Sequence, residues 1–196
     1  RKRMVDGQLR PNRVTDPRLL DAMRDMPREE FLPRAVRARA YADEDVPLPG
    51  GRALIQPMAI ARLVQLAAVR PGDRALVVCA ATGYGAAVLA RCGARVTALE
   101  SAEPLLAIAG TALAACLPAG AVRLEAAPPA AGFAAGAPYD AILIEGEVPE
   151  IPAAIAAQLA EGGRLVAVLG AGRRNGVATL ARRLGGTVIN ADSMQV

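Results

Sequence analysis

Residues 74–100, RALVVCAATGYGAAVLARCGARVTALE, decide the fold. RALVVCA (74–80) is a continuous apolar run of strand length, YGAAVLARCG reads as a helix ending at Gly93, and ARVTALE (94–100) is a second strand. Near-continuous apolarity belongs to strands buried on both faces. Two such strands joined by a helix imply a right-handed crossover and parallel pairing. Between the first strand and the helix lies a turn of small residues, CAATGYG. In open parallel sheets this turn, beyond the carboxyl ends of the strands, is the usual cradle for a ligand.

The alternation continues outward. A helix is expected from about Met58 to Ala68, burying Ile60, Leu63, Val64 and one of Leu66 or Ala67. After Glu100, EPLLAIAGTALAAC reads as a helix, AVRLEA (121–126) as a strand and APPAAGFAAGAP as a loop. DAILIEG (140–146), IPAAIAAQLAEGG and RLVAVLG (164–170) supply strand, helix and strand. Beyond Gly170 the pattern weakens, and GVATLARR with GTVIN is read as an antiparallel closing pair. This order predicts an α/β fold with a mostly parallel sheet covered on both faces. Upstream, VTDPRLLDAM carries a helix start, with Thr15 or Asp16 as N-cap and Pro17 where its missing N–H costs nothing. Leu19, Leu20 and Met23 form the apolar stripe of that helix. The proline-punctuated stretch after Pro27 makes residues 1–57 an N-terminal extension packed on a main domain of residues 58–196, one structural unit overall.

Composition narrows the chemistry. The 196 residues suit one domain with a substantial core, and no apolar run approaches the roughly 20 residues of a membrane-spanning helix. The net charge is +4 and Lys2 is the only lysine, but the arginines are dispersed and only five aromatics occur, so neither a nucleic-acid face nor membrane insertion is expected. No histidine is present, which excludes imidazole bases and His-containing metal sites within this chain. Cys79, Cys92 and Cys116 are odd in number and unpaired in spacing, which fits a reducing, cytoplasmic compartment. RKRMVDGQLR is basic with no apolar run after it, so no secretory signal is visible, and a start at Arg1 implies a natural beginning further upstream.

Glu100 ends the second strand, where a carboxylate can accept hydrogen bonds from a ribose diol. Turn and acid together point to an adenosine-containing cofactor, nicotinamide or S-adenosylmethionine. A dinucleotide turn would be G-x-G-x-x-G, and only Gly83 and Gly85 are available, which weakens the nicotinamide reading. Glu145, at the carboxyl end of the fourth strand, faces the same crevice as a candidate site residue, whereas Glu147 is read as exposed and Tyr139-Asp140 as structural. Cys79 is read as a small packing residue and not a nucleophile, since no histidine is there to activate it.

The chain as a whole resembles the protein-L-isoaspartate O-methyltransferase family. The likeness is carried by MVDGQLR, VTDPRLLDAMRDMPREEFLP, AYADEDVPL, LIQPMAIARLVQLAAVRPGDRALVV, ATGYGAAVLA, VTALE, PYDAILIEG and QLAEGGRLVAVLG, in that order. It implies a seven-stranded Rossmann-like methyltransferase fold, S-adenosylmethionine as cofactor, and methyl transfer to the isoaspartyl carboxylate of a damaged protein or peptide. By position, Glu100 would bind the ribose, and Cys79, Ala81, Gly83 and Tyr84, with Glu145, would line the cofactor. Gln56 and Pro57 would face the substrate. The chain departs from the family pattern at three places. Cys79 and Ala81 replace two glycines of a G-x-G-x-G turn, where alanine is tolerated if its φ is negative. Ile55 stands where the family has the serine of Ser-Gln-Pro, and EAAPPAAG offers no polar side chain near the adenine. These departures leave a second function open, a catalytically silent methyltransferase fold acting as a binding or structural subunit of a larger assembly.

Overall fold

The structure, a computed structural model, describes residues 1–170 and 176–195. Two short strands, β1 (Val46–Pro47) and β2 (Ala53–Leu54), pair antiparallel ahead of the main sheet. The main sheet comprises β3 (Arg74–Val78), β4 (Arg95–Glu100), β5 (Val122–Ala126), β6 (Tyr139–Val148), β7 (Leu159–Leu169), β8 (Val177–Leu184) and β9 (Thr187–Gln195). Their order is β5-β4-β3-β6-β7-β8-β9. The first five are parallel, and β8 and β9 close the sheet antiparallel, as the sequence pattern predicts. The strand order reverses at β3, between β4 and β6, which opens a crevice beyond the carboxyl ends of these strands.

The helices are α1 (Lys2–Met4), α2 (Pro17–Asp25), α3 (Pro57–Ala67), α4 (Tyr84–Arg91), α5 (Glu103–Cys116) and α6 (Ala153–Ala156). Asp16 caps α2, its Oδ1 accepting the Arg18 N–H at 2.9 Å, with Pro17 in the first turn. Helix α3 buries Ile60, Leu63, Val64 and Ala67, leaving Leu66 only partly covered. Alternate strand residues feed two buried clusters. Ala75, Val77, Ala98, Leu143 and Val166 join side chains from α2 to α5 and from the N-terminal turns, including Met4, Leu9, Leu19 and Met23. Leu76, Val78, Ile142, Ile144 and Leu165 form the opposite cluster with Ile155 of α6 and Tyr139. Helices therefore cover both faces unequally.

The helix expected over residues 151–163 shrinks to the four residues of α6, and β7 begins at Leu159, earlier than the predicted 164. The run is alanine-rich, which favours helix, but pairing Tyr139 with Leu159 extends the sheet and overrides the propensity. Among the described residues no helix is long and apolar enough to cross a membrane.

Candidate functional site

The turn after β3 keeps a glycine-type path without the glycines. Cys79 has φ 58°, Ala81 φ 50° and Gly83 φ 87°. The expectation that alanine is tolerated through a negative φ is thus corrected: both Cys79 and Ala81 sit in the left-handed region, at a cost of about 1–2 kcal/mol each. The surroundings hold them there. Ala80 N–H donates to Leu99 C=O at 3.0 Å, extending the β3–β4 ladder, and Gly83 N–H closes the turn on Ala80 C=O at 2.7 Å. Gly83 is the N-cap of α4 and provides no side-chain cap, so the first-turn N–H groups of that helix are left for water or a ligand.

Glu100 is the electrostatic centre of the crevice and is 1% exposed. Its Oε2 accepts the Ala81 N–H at 2.9 Å, and its Oε1 accepts the N–H groups of Ser101 at 2.9 Å and Ala102 at 3.1 Å. The turn and the strand end are therefore clamped together through one carboxylate. The fourth partner is Arg52, from the residue before β2, whose Nη1 lies 3.2 Å from Glu100 Oε2 and whose Nη2 donates to Cys79 C=O at 2.9 Å. Sequence reasoning did not single out Arg52, because a loop arginine among many dispersed arginines carries no local signal.

Glu145 ends the buried part of β6 beside this turn, with Val78 paired to Ile144 just before it. Its carboxyl packs against α4 so closely that a Cβ on Gly85 would fall 1.9 Å from Oε1, so Gly85 makes room for this carboxyl and any side chain there would displace it. Oε1 is buried without a partner. Burial raises its pKa to about 8, against the opposing pull of Arg52 and Arg28 and with a small push from Glu100. The group is thus a largely neutral acid near pH 7. Glu147 is exposed, as expected.

Against residues 55–57 lies a second residue missed in the sequence, Arg28. It is fully buried, donates from Nε to Ala40 C=O at 2.8 Å and from Nη2 to Ile55 C=O, and stacks 4.7 Å from the centre of the Tyr84 ring. Tyr84 is itself wholly buried, edge-on to Phe31 at 5.4 Å. Its ring is closed off from solvent, so what it can offer a ligand is its backbone N–H. A hint existed in MPREEFLP, where Arg28 is flanked by the apolar Met26, Phe31 and Leu32, all three buried in the core. Gln56 N–H is held by Asp45 Oδ1 at 2.8 Å, Pro57 is buried in the first turn of α3, and Ile55 is half-buried between them and Arg28.

The remaining expectations fall on scaffold. Tyr139 donates its hydroxyl to Phe133 C=O at 2.9 Å, and Asp140 accepts the Arg74 N–H at 2.8 Å. The loop after β5 presents alanine and proline and is tied down from behind by Gln158, which bonds Ala131 C=O and the Phe133 N–H. Burial raises the pKa of the Cys79 thiol, which argues against a thiolate nucleophile.

The residues fit an adenosine cofactor bearing a methionine end. The buried acceptor sits at the strand end, the turn keeps its left-handed path, and Thr82 Oγ1 and Glu145 Oε1 are buried without partners beside it. The family model described as protein-L-isoaspartate(D-aspartate) O-methyltransferase matches residues 1–196. A protein-L-isoaspartate O-methyltransferase of Methylorubrum populi is 43% identical over 170 residues, covering 87% of this chain and 79% of that protein. Protein-L-isoaspartate O-methyltransferase 1 of Rhodopseudomonas palustris is 41% identical over 171 residues, covering 87% and 69%. Among solved structures, a protein-L-isoaspartate O-methyltransferase superposes with a TM-score of 0.85 at 24% identity, over 100% of this chain and 63% of that one. A Plasmodium falciparum protein solved in complex with S-adenosyl-L-homocysteine gives 0.82 at 19%, over 99% and 94%. At these identities the two structures speak for the fold alone.

Proposed function

The chain belongs to the protein-L-isoaspartate(D-aspartate) O-methyltransferase family, and from that premise we infer that it transfers a methyl group from S-adenosylmethionine to the isoaspartyl carboxylate of a damaged protein or peptide. The observation that carries the reading is Glu100, a buried carboxylate at the end of β4 bonded to the turn that follows β3. When bound, the cofactor supplies an electrophilic methyl group on a sulfonium. Everything else is positioning and electrostatics, which suffice for an in-line displacement by a carboxylate that is already ionised.

Glu100 accepts the ribose hydroxyls, and the backbone of Cys79, Ala81 and Gly83, with the N–H of Tyr84, lines the path of the methionine end. Gln56 and Pro57 open the helix that faces the substrate, with the preceding Ile55 carbonyl fixed from below by Arg28. Glu145, protonated at neutral pH, adds no negative charge beside the crevice that would repel an incoming carboxylate. Ile55 brings no hydroxyl, so no acid or base is asked of it. The reading as a silent subunit of a larger assembly has no such support. The relatives named above carry the enzyme's name at 43% and 41% identity, and Cys79 and Ala81 leave the turn on its left-handed path.

Incubation with methyl-labelled cofactor and an isoaspartyl peptide is expected to give a base-labile methyl ester, absent with the normal aspartyl peptide and lost in Glu100→Ala. No ester above background on the isoaspartyl peptide at saturating cofactor would overturn the assignment.

A further inference from the structure

The acceptor capacity of Glu100 is already full. A carboxylate offers about four lone-pair sites. Three are taken by the N–H groups of Ala81, Ser101 and Ala102, and the remainder by Arg52 Nη1, 3.2 Å from Oε2 and 3.4 Å from Oε1. The three N–H groups belong to the turn and the strand end and cannot leave without unmaking the fold there. Arg52 can. Its side chain is 30% exposed, against 1% for Glu100. Its backbone carbonyl is pinned by the Leu48 N–H at 2.8 Å, so any exchange is a rotation of the side chain and not a movement of the hairpin. A ribose diol that docks on Glu100 must therefore displace this guanidinium.

The displaced charge then lacks its counter-ion in a half-buried crevice, a costly state for an arginine. The acid beside it, Glu145, is mainly neutral through burial and offers little compensation. Arg52 Nη2 already reaches the carbonyl of Cys79, the first residue of the turn along which the methionine end is read to pass. The cofactor's own carboxylate is the missing anion, and a planar guanidinium is the side chain best shaped to receive it in a bidentate pair. We propose that Arg52 reads the amino-acid end of the cofactor, holding Glu100 and Cys79 in the free protein and exchanging them for the cofactor's carboxylate on binding. The proposal rests on the cofactor reading given above and adds a residue that selects for the amino-acid moiety.

Isothermal titration of the full chain with two ligands tests it: S-adenosylhomocysteine, and 5′-deoxy-5′-methylthioadenosine, which keeps the nucleoside and thioether but lacks the amino-acid end. Arg52→Ala is expected to weaken S-adenosylhomocysteine by about tenfold or more, the value of a charge-assisted pair. The same variant should leave methylthioadenosine unchanged or bind it more tightly, because a competitor for Glu100 has gone. Arg52→Lys keeps the charge without the fork and should show a smaller loss for S-adenosylhomocysteine alone. This variant carries the test if Arg52→Ala does not fold, as judged by thermal melting. An equal loss for both ligands, or no loss for S-adenosylhomocysteine, overturns the proposal. If the unaltered chain binds neither ligand, the cofactor reading fails and takes the proposal with it, a result that differs plainly from a variant-specific one.

Discussion

The parallel sheet holds an arginine–carboxylate pair at each end, and the two are built differently. At the amino ends of the strands, Arg164 on β7 bonds Asp73 and donates to Ala67 C=O and Ala68 C=O, both at 3.0 Å. Asp73 also accepts the Arg70 N–H at 2.9 Å, and the two side chains are only 11% and 15% exposed. This pair ties the end of α3 to the start of β3 through Arg164 Nε and Nη2 and Asp73 Oδ2, and neither side chain holds a buried polar atom without a partner. At the carboxyl ends, Arg52 and Glu100 use the same chemistry, but the arginine is partly exposed and comes from a hairpin outside the sheet. The turn beneath carries two non-glycine residues in left-handed conformation, and partnerless polar atoms stand beside it. One end is satisfied and fixed, the other is strained and exchangeable, and strain of this kind collects where function needs a preset geometry.

The contrast can be broken most forcefully at the fixed end. Arg164→Ala strands Asp73 and two carbonyls in a nearly closed site, and a loss of about 3–5 kcal/mol of stability is expected in urea unfolding. Cofactor affinity of the folded fraction should not change, and a parallel loss of affinity would show that the two ends are not independent. Next is the titration of Glu145. Its acid is held near 8 by burial, against 4.5 for an ordinary glutamate, while Arg52 and Arg28 pull it down and Glu100 pushes it up. The folded chain therefore binds an extra proton between about pH 4.5 and 8, and stability falls as pH rises through that window and levels off above it. Glu145→Gln removes that dependence. Its stability should gain on that of the unaltered chain from pH 5 to pH 8 by about 3–4 kcal/mol, read from thermal melts at each pH; a constant gap would refute the buried acid.

Smaller effects sharpen the picture of the strained turn. Ala81→Gly places a permissive residue at φ 50° and is expected to stabilise by about 1 kcal/mol, read from the urea midpoint, with cofactor binding unweakened. A loss of stability there would mean that the methyl group's packing outweighs the backbone strain. The smallest change is expected from Arg52→Ala, below about 1 kcal/mol, because the arginine is partly exposed and Glu100 keeps its three backbone N–H donors without it. A loss as large as that of Arg164→Ala would erase the distinction between the two pairs.

Much of this was legible in the chain. The strands at 74–78, 95–100 and 122–126 and the helices α2, α3 and α5 lie where apolar periodicity, Asp16, Pro17 and the flanking glycines place them. Those signals are local, and packing agrees with them. The helix expected at 151–163 is cut short because alanine favours helix in isolation, whereas sheet pairing from Leu159 is a non-local gain. The place of Glu100 beside the turn was legible from its position at a strand end one crossover later. Arg28 and Arg52 were not, since each acts through carbonyls and acids 12 to 48 positions away in sequence.

By itself, then, the sequence determined the alternation of strand and helix, the position of the turn after β3 and the carboxylate that ends β4, because these follow from periodicity and spacing within one crossover unit. Only the tertiary structure decided the conformation of Cys79 and Ala81 and the neutral state of Glu145. It also decided which of the many arginines stands on Glu100. A backbone dihedral, a proton and an ion pair are each set by the groups that the fold brings from elsewhere, and no window of sequence contains them.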